Sequence, residues 1–280
     1  MEDMVKKLVA FMRDKKNEDF FYEGFYHTIL FAIVYVLYFT YKTSTIGNSN
    51  YIFLFFFVLT SYALIKYFLS CKQKFAPITK KQYPLSIKIL AGYLINTGIW
   101  LAVTSMMIFF YGKIEILNQQ LLDKQITDHP TMLVPQFFDT VISAPLMEEI
   151  LYRGLLLNAI LFIGLKLGIS KKYLFVVFLV LSALIFGSIH ASSNILTFIG
   201  FSLVGLNLGA LYLISGNLIV PITVHFLNNL SASLNVSNDV KRISIFICLL
   251  LIICLIEYVC KEDRNIIKKW AFSSSKKGKS

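Results

Sequence analysis

Long apolar stretches alternate with short polar segments along most of the chain. We identify about eight stretches of roughly 17–25 residues, the length that a helix needs to cross a bilayer. They lie near residues 25–41, 51–69, 89–111, 133–163, 173–190, 194–214, 217–236 and 243–260. The pattern predicts an all-α, polytopic membrane bundle of about eight transmembrane helices.

The fourth stretch, residues 133–163, is too long for one straight crossing and contains Pro145. Proline removes a main-chain hydrogen bond from a helix, so we expect a kink, a tilt or a break there. No Gly/Ser/Pro linker and no internal repeat interrupts the chain. We therefore expect one bundle over residues 25–260, with a cytoplasmic segment 1–24 before it and a basic cytoplasmic tail 261–280 after it.

Composition and charge support a membrane protein. Hydrophobic residues make up 56% of the chain and charged residues 15%, whereas a soluble protein has about 25% charged residues. The net charge is +11. With both termini inside, most Lys and Arg fall on the cytoplasmic side, as the positive-inside rule requires. The basic residues thus indicate topology and contact with anionic lipid headgroups. No basic–aromatic motif favours nucleic acid.

The four cysteines, Cys71, Cys248, Cys254 and Cys260, form no CxxC pair. Neither a disulfide framework nor a zinc–cysteine site is therefore predicted. Residue usage rich in Lys, Ile, Asn and Phe is typical of a bacterial protein, and we expect a multi-pass protein of the bacterial cell membrane.

Three polar islands interrupt the apolar stretches. The first, in PLMEEILYRGLLL, contains Glu148, Glu149 and Arg153. Charged groups at bilayer depth cost about 2.5–3.5 kcal/mol each on insertion scales, and they are a default sign of function. Arg153 stands four residues after Glu149, a spacing that predicts an ion pair. Glu148 has no cation at such a spacing, which suits a general base. A charge cluster at a helix end is the structural alternative.

The other two islands contain His190, in LIFGSIH, and His225 with Asn229, in VPITVHFLNNL. His225 and Asn229 share a helix face, and two donors on one face suit the stabilisation of an oxyanion. The same pair could instead join helices through hydrogen bonds. Together with Glu148, the histidines could activate a water against an amide carbonyl.

From the residues alone, a site with zinc and a site without metal both remain open. Glu148, His190 and His225 could hold zinc, which would activate the same water. Asn229 is a poor zinc ligand and a good donor, which favours a site without metal or other cofactor. A transporter that uses the same buried groups as a proton relay is a further alternative.

The three islands resemble the motifs of the CPBP family, which comprises CAAX prenyl endopeptidases and bacteriocin-processing or self-immunity (Abi) proteins. EEILYR is similar to the EExxxR motif, FGSIH to FxxxH and HFLNN to HxxxN, in the family's order. The resemblance covers roughly residues 130–235 and implies an eight-helix membrane bundle.

The resemblance also implies intramembrane proteolysis of the glutamic type, often described as metalloprotease. It gives water activation to Glu148 and His190, an oxyanion hole to His225 and Asn229, and a supporting role to Glu149 and Arg153. The expected substrate is a membrane-associated peptide or protein, such as a bacteriocin or pheromone precursor. A non-catalytic immunity or scaffold protein that binds a peptide is the alternative.

Overall fold

The computed structural model describes residues 59, 61–66, 69, 83–117, 120, 138–190, 192–233 and 256–266. All regular secondary structure in these ranges is helical, which confirms the all-α class. The chain divides into two compact units, which are described separately. The first holds the described residues within 1–74 and 146–178, and the second holds those within 75–145 and 179–280.

The helices in chain order are α1 (Leu85–Tyr111), α2 (Ala144–Glu149), α3 (Leu156–Lys166), α4 (Lys171–Ile189), α5 (Ile195–Ser215) and α6 (Ile219–Ser233). Two π-helical segments, Asp139–Ser143 and Ile150–Leu155, stand immediately before and after α2. The backbone therefore stays helical from Asp139 to Lys166, so of the kink, tilt or break predicted at Pro145 the break is absent. The run changes its hydrogen-bond register instead.

Within the described residues, α1, α4 and α5 are long and apolar enough to cross a membrane. They correspond to the predicted stretches 89–111, 173–190 and 194–214. The stretch 217–236 corresponds to α6, whose described part is Ile219–Ser233. The stretch 25–41 lies outside the described residues, as do most of 51–69 and 243–260. The protein is thus a helical membrane protein, whereas a count of eight crossings stays a prediction.

In the second unit, α1, α5 and α6 pack on one another. Gly92 of α1 faces Leu211 of α5 so closely that a Cβ at position 92 would collide with the leucine. Beside it, the Asn207 amide donates to Asn96 Oδ1 at 2.7 Å and to the Gly92 carbonyl at 3.0 Å. Small residues and interhelical hydrogen bonds replace the hydrophobic driving force that is missing between helices in lipid.

Capping residues and a proline explain where these helices begin and end. Asn194 forms a capping box with Thr197, its Oδ1 accepting from the Thr197 N–H at 3.0 Å, so α5 begins soon after α4 ends. Gly216, at φ 64°, ends α5 in the left-handed conformation that glycine adopts without strain. Pro221 falls in the first turn of α6, where a missing N–H costs no helical bond. These short turns place His190 directly after α4, Phe201 on α5 and His225 on α6.

The C-terminal helical segment, residues 256–266, contributes Val259 and Ile266 to the apolar core that contains Leu85. Its Asp263 carboxylate accepts hydrogen bonds from the Leu85 and Ser86 N–H groups and from the Ser86 hydroxyl. The first N–H groups of a helix have no partner within the helix. Asp263 therefore caps α1, although it stands in the sequence expected to form a basic tail.

Candidate functional site

In the first unit, Glu149 and Arg153 form a buried ion pair. Arg153 Nη1 lies 2.9 Å from Glu149 Oε1, and both side chains are 0% exposed. The structure thus confirms the ion pair expected from the four-residue spacing. The pair crosses from α2 into the second π segment, so it joins two parts of the helical run that differ in hydrogen-bond register.

Glu148 is half-buried on the same helix. The guanidinium of Arg153 interacts electrostatically with Glu148 as well as with Glu149. The sequence has no cation four residues after Glu148, but Arg153 stands five residues after it and acts on its carboxylate. Arg153 thus supplies positive charge to both carboxylates, which lowers the repulsion between two adjacent acids in an apolar environment.

Asparagine side chains bind a main-chain carbonyl in each π segment. In the first unit, Asn158 donates to the Gly154 carbonyl at 2.7 Å. In the second unit, Asn229 of α6 donates to the Thr140 carbonyl at 2.8 Å. In each π segment, where the regular ladder of a helix is disturbed, one carbonyl thus accepts a hydrogen bond from a side chain.

His190 stands directly after α4, and its Nδ1 lies 2.7 Å from the carbonyl oxygen of Phe186. A carbonyl can only accept, so Nδ1 carries the hydrogen of this bond. In the neutral ring the lone pair is then on Nε2. The imidazole also stacks on Phe201, with centroids 4.4 Å apart at 18°, and contacts Phe186 at 4.4 Å. Three contacts thus fix the orientation of the ring.

His225 lies on α6 with 3% of its surface exposed. The ring of Phe186 meets it edge-on, with centroids 5.3 Å apart. Phe186 therefore contacts both His190 and His225. Gly205 of α5 makes room for Phe186, since a Cβ at position 205 would lie 2.6 Å from Phe186 Cβ.

Residues 130–231 match a family model described as type II CAAX prenyl endopeptidase, Rce1-like. The matched segment contains all three polar islands, in their expected order. The match confirms the family resemblance. This Rce1-like segment supports a CAAX-type intramembrane endopeptidase in general terms, acting on a membrane-associated protein or peptide. Neither a curated protein nor a solved structure matches the chain significantly.

The individual roles of the site residues stay predictions. The structure groups His190, His225 and Asn229 in the second unit, and it groups Glu148, Glu149 and Arg153 in the first. In the described part of the chain, no three His, Cys, Asp or Glu side chains gather as a metal-binding group. The zinc set of Glu148, His190 and His225 stays an untested alternative, and no step of the proposed reaction is assigned to a metal.

Sequence reasoning missed three features of the Rce1-like segment. Phe201 stacks on His190 from another helix, and no local pattern in the sequence indicates such a contact. The carbonyl of Thr140 is a backbone group, invisible in the side-chain pattern. The buried acid Asp139 did carry a signal, because an acidic residue inside a predicted crossing is a default candidate for function.

Proposed function

We propose that the chain is an intramembrane endopeptidase that hydrolyses a peptide bond of a small membrane-associated peptide. One observation carries the proposal. Within a segment that matches an endopeptidase family, the contact of His190 Nδ1 with a carbonyl leaves the lone pair of the neutral ring on Nε2. A nitrogen lone pair is the group needed to orient or deprotonate a water.

In the proposed reaction, Glu148 and His190 activate the water. The water oxygen bonds to the carbonyl carbon of the scissile bond while its proton passes to the Glu148 carboxylate. The carbonyl oxygen becomes an oxyanion, which accepts hydrogen bonds from His225 and Asn229. The C–N bond then breaks, and the proton moves from Glu148 to the leaving nitrogen.

Two contacts support this chemistry: the hydrogen bond of Asn229 to Thr140 and the ion pair of Glu149 with Arg153. The amide nitrogen of Asn229 carries two hydrogens, and the Thr140 carbonyl accepts one of them. The second hydrogen is assigned to the oxyanion. Glu149 and Arg153 are assigned a supporting role, because a fully buried ion pair fixes the helix that carries Glu148.

The test uses purified protein in liposomes and a panel of internally quenched peptides that carry an apolar membrane-inserting segment. One arm of the panel carries an S-farnesyl cysteine near its C-terminus, and the other carries no lipid. We expect cleavage by the wild type, and we expect Glu148→Gln to lose about 10²- to 10⁴-fold in rate while remaining folded. The ratio of the cleavage rates of the farnesylated and the unlipidated peptides identifies the substrate class.

The matched control is Glu115→Gln, a carboxylate in the exposed segment after α1 that pairs with Lys113. It should cleave as the wild type does. Unchanged cleavage by Glu148→Gln would remove Glu148 from the reaction. Saturable peptide binding by the wild type without cleavage would instead identify a peptide-binding protein.

A further inference from the structure

The first π segment leaves one carbonyl without a main-chain donor. The N–H of Ala144 reaches back five residues to the Asp139 carbonyl, which is the π register. In the same register, residue 145 would donate to the carbonyl of Thr140. Residue 145 is proline, which has no N–H. Neither Ala144 nor Pro145 therefore donates to Thr140.

Asn229 takes the place of the missing donor. Its Nδ2 donates to the Thr140 carbonyl at 2.8 Å from the neighbouring helix α6. Next to this bond, Val141 and Phe226 are buried against each other, so α6 and the π segment meet in an apolar contact. A carbonyl beside such a contact is stabilised by a hydrogen-bond partner, since an unpaired polar group in apolar surroundings costs free energy.

The bond also fixes the direction of the amide group. The terminal torsion of an asparagine side chain is broad when nothing holds it. Because the two hydrogens of Nδ2 lie in one plane at a fixed angle, an acceptor for one hydrogen determines where the other points. A main-chain donor at position 145 would compete for the same carbonyl and release the amide.

We propose that Pro145 is a positioning residue: by offering no N–H, it reserves the Thr140 carbonyl for Asn229, and the anchored amide directs its second hydrogen at the substrate oxygen. The second half of this inference rests on the proposed function of Asn229. The first half, in which Pro145 is coupled to Asn229 through the Thr140 carbonyl, is independent of the proposed function.

The coupling is tested with the wild type, Pro145→Ala, Asn229→Ala and the double variant, each purified in detergent and unfolded by heat. Asn229→Ala alone should lower the midpoint, because the Thr140 carbonyl loses its donor. In the Pro145→Ala background the new N–H can serve that carbonyl, so the same substitution should lower the midpoint much less. Equal losses in both backgrounds would overturn the inference.

Two controls make the comparison specific. Asn228 is the neighbour of Asn229 on α6, and its Nδ2 has no hydrogen-bond partner among the described residues. Its replacement by alanine should therefore act equally in both backgrounds. Should Asn229→Ala give no folded protein, recovery of folded protein on adding Pro145→Ala reports the same coupling, and failure to recover it argues against the inference.

The positioning role is tested by kinetics on whichever quenched peptide the wild type cleaves. Pro145→Ala should lower kcat by about tenfold to hundredfold with little change in KM, because a displaced donor affects the transition state more than binding. Lactic acid placed at position 145 by nonsense suppression has no N–H and no ring. It should preserve kcat, since only the absence of the N–H is needed.

The outcomes separate the two proposals. Loss of kcat in Asn229→Ala with unchanged kcat in Pro145→Ala would overturn the positioning role and leave the proposed function intact. Unchanged kcat in Asn229→Ala itself would remove Asn229 from the reaction. With lactic acid at position 145, a kcat as low as that of Pro145→Ala would assign the effect to the proline ring and overturn the inference.

Discussion

The imidazole of His190 lies nearly parallel to the ring of Phe201, with centroids 4.4 Å apart and an angle of 18° between the planes. The two residues stand on either side of the short turn between α4 and α5. Stacked aromatic pairs contribute about 0.5–1.5 kcal/mol beyond the area they bury. The contact therefore holds the ring in the orientation in which Nδ1 meets the Phe186 carbonyl.

Phe201→Leu is expected to lower the cleavage rate more than it lowers stability, because leucine fills the space but offers no flat face to His190. The expected cost in the free energy of unfolding is about 1 kcal/mol. Cleavage of the quenched peptide and thermal unfolding in detergent measure the two effects. Phe109→Leu, at an α1 position that is 82% exposed, is the control and should change neither.

Arg153→Ala should lower the yield of folded protein and the unfolding midpoint, because it leaves the Glu149 carboxylate buried without its ion-pair partner. Removing one partner of a buried pair costs about 3–5 kcal/mol. Joint replacement by Glu149→Leu and Arg153→Met should recover part of the loss. Lys166→Ala, at an exposed position of α3, is the control. A wild-type midpoint for Arg153→Ala would contradict a structural role for the pair.

Gly205→Ala should reduce both stability and activity, because the added Cβ would lie 2.6 Å from Phe186 Cβ and displace a ring that contacts both histidines. Gly98→Ala on α1 is the matched control, since a Cβ there meets nothing within 4 Å. Alanine is favoured over glycine in a helix by about 1 kcal/mol, so the control should be neutral or slightly stabilising. Equal effects of the two substitutions would contradict this packing role.

Chelation is expected to leave cleavage unchanged. The reason is chemical: Asn229, one turn from His225, is a weak zinc ligand and a good donor to an oxyanion. Elemental analysis of the active protein, with the rate measured before and after chelation, checks this expectation. Stoichiometric zinc, with activity lost on removal and restored on addition, would make the protein a metalloprotease.

Asp263→Ala should destabilise the second unit by about 0.5–2 kcal/mol, the usual cost of losing a helix cap. Asp263 accepts from both the main chain and the side chain at the start of α1, so its loss exposes several donors at once. Glu257→Ala, an exposed acid on the same C-terminal segment, should have little effect. If Asp263→Ala and Glu257→Ala have the same free energy of unfolding, the cap makes no measurable contribution to stability.

Local physics explains which features could be predicted from the sequence. The lengths of α1, α4 and α5 follow from the hydrocarbon thickness of a bilayer, which acts on each stretch separately. The ion pair of Glu149 and Arg153 follows from helical spacing alone. The motif match follows from the identity and order of a few residues.

Features that depend on packing between helices could not be predicted in the same way. Phe201 reaches His190 because a capped turn brings α5 beside α4, and Asn229 reaches Thr140 because α6 packs on the π segment. At Pro145 the sequence predicts a kink, a tilt or a break. The structure shows no break there: the helix changes register, and the Thr140 carbonyl accepts its hydrogen bond from a side chain.

The two π segments on either side of α2 have a consequence for how positions in this helix should be counted. A π turn holds one residue more than an α turn, so each segment acts as a one-residue insertion into an otherwise regular helix. Residues beyond it are rotated by about 100° from where a helical wheel would place them. An alignment with relatives that lack both π turns would therefore need two single-residue gaps, one near residues 139–143 and one near residues 150–155. The length of this stretch, as much as its side chains, then determines which way Glu148 faces.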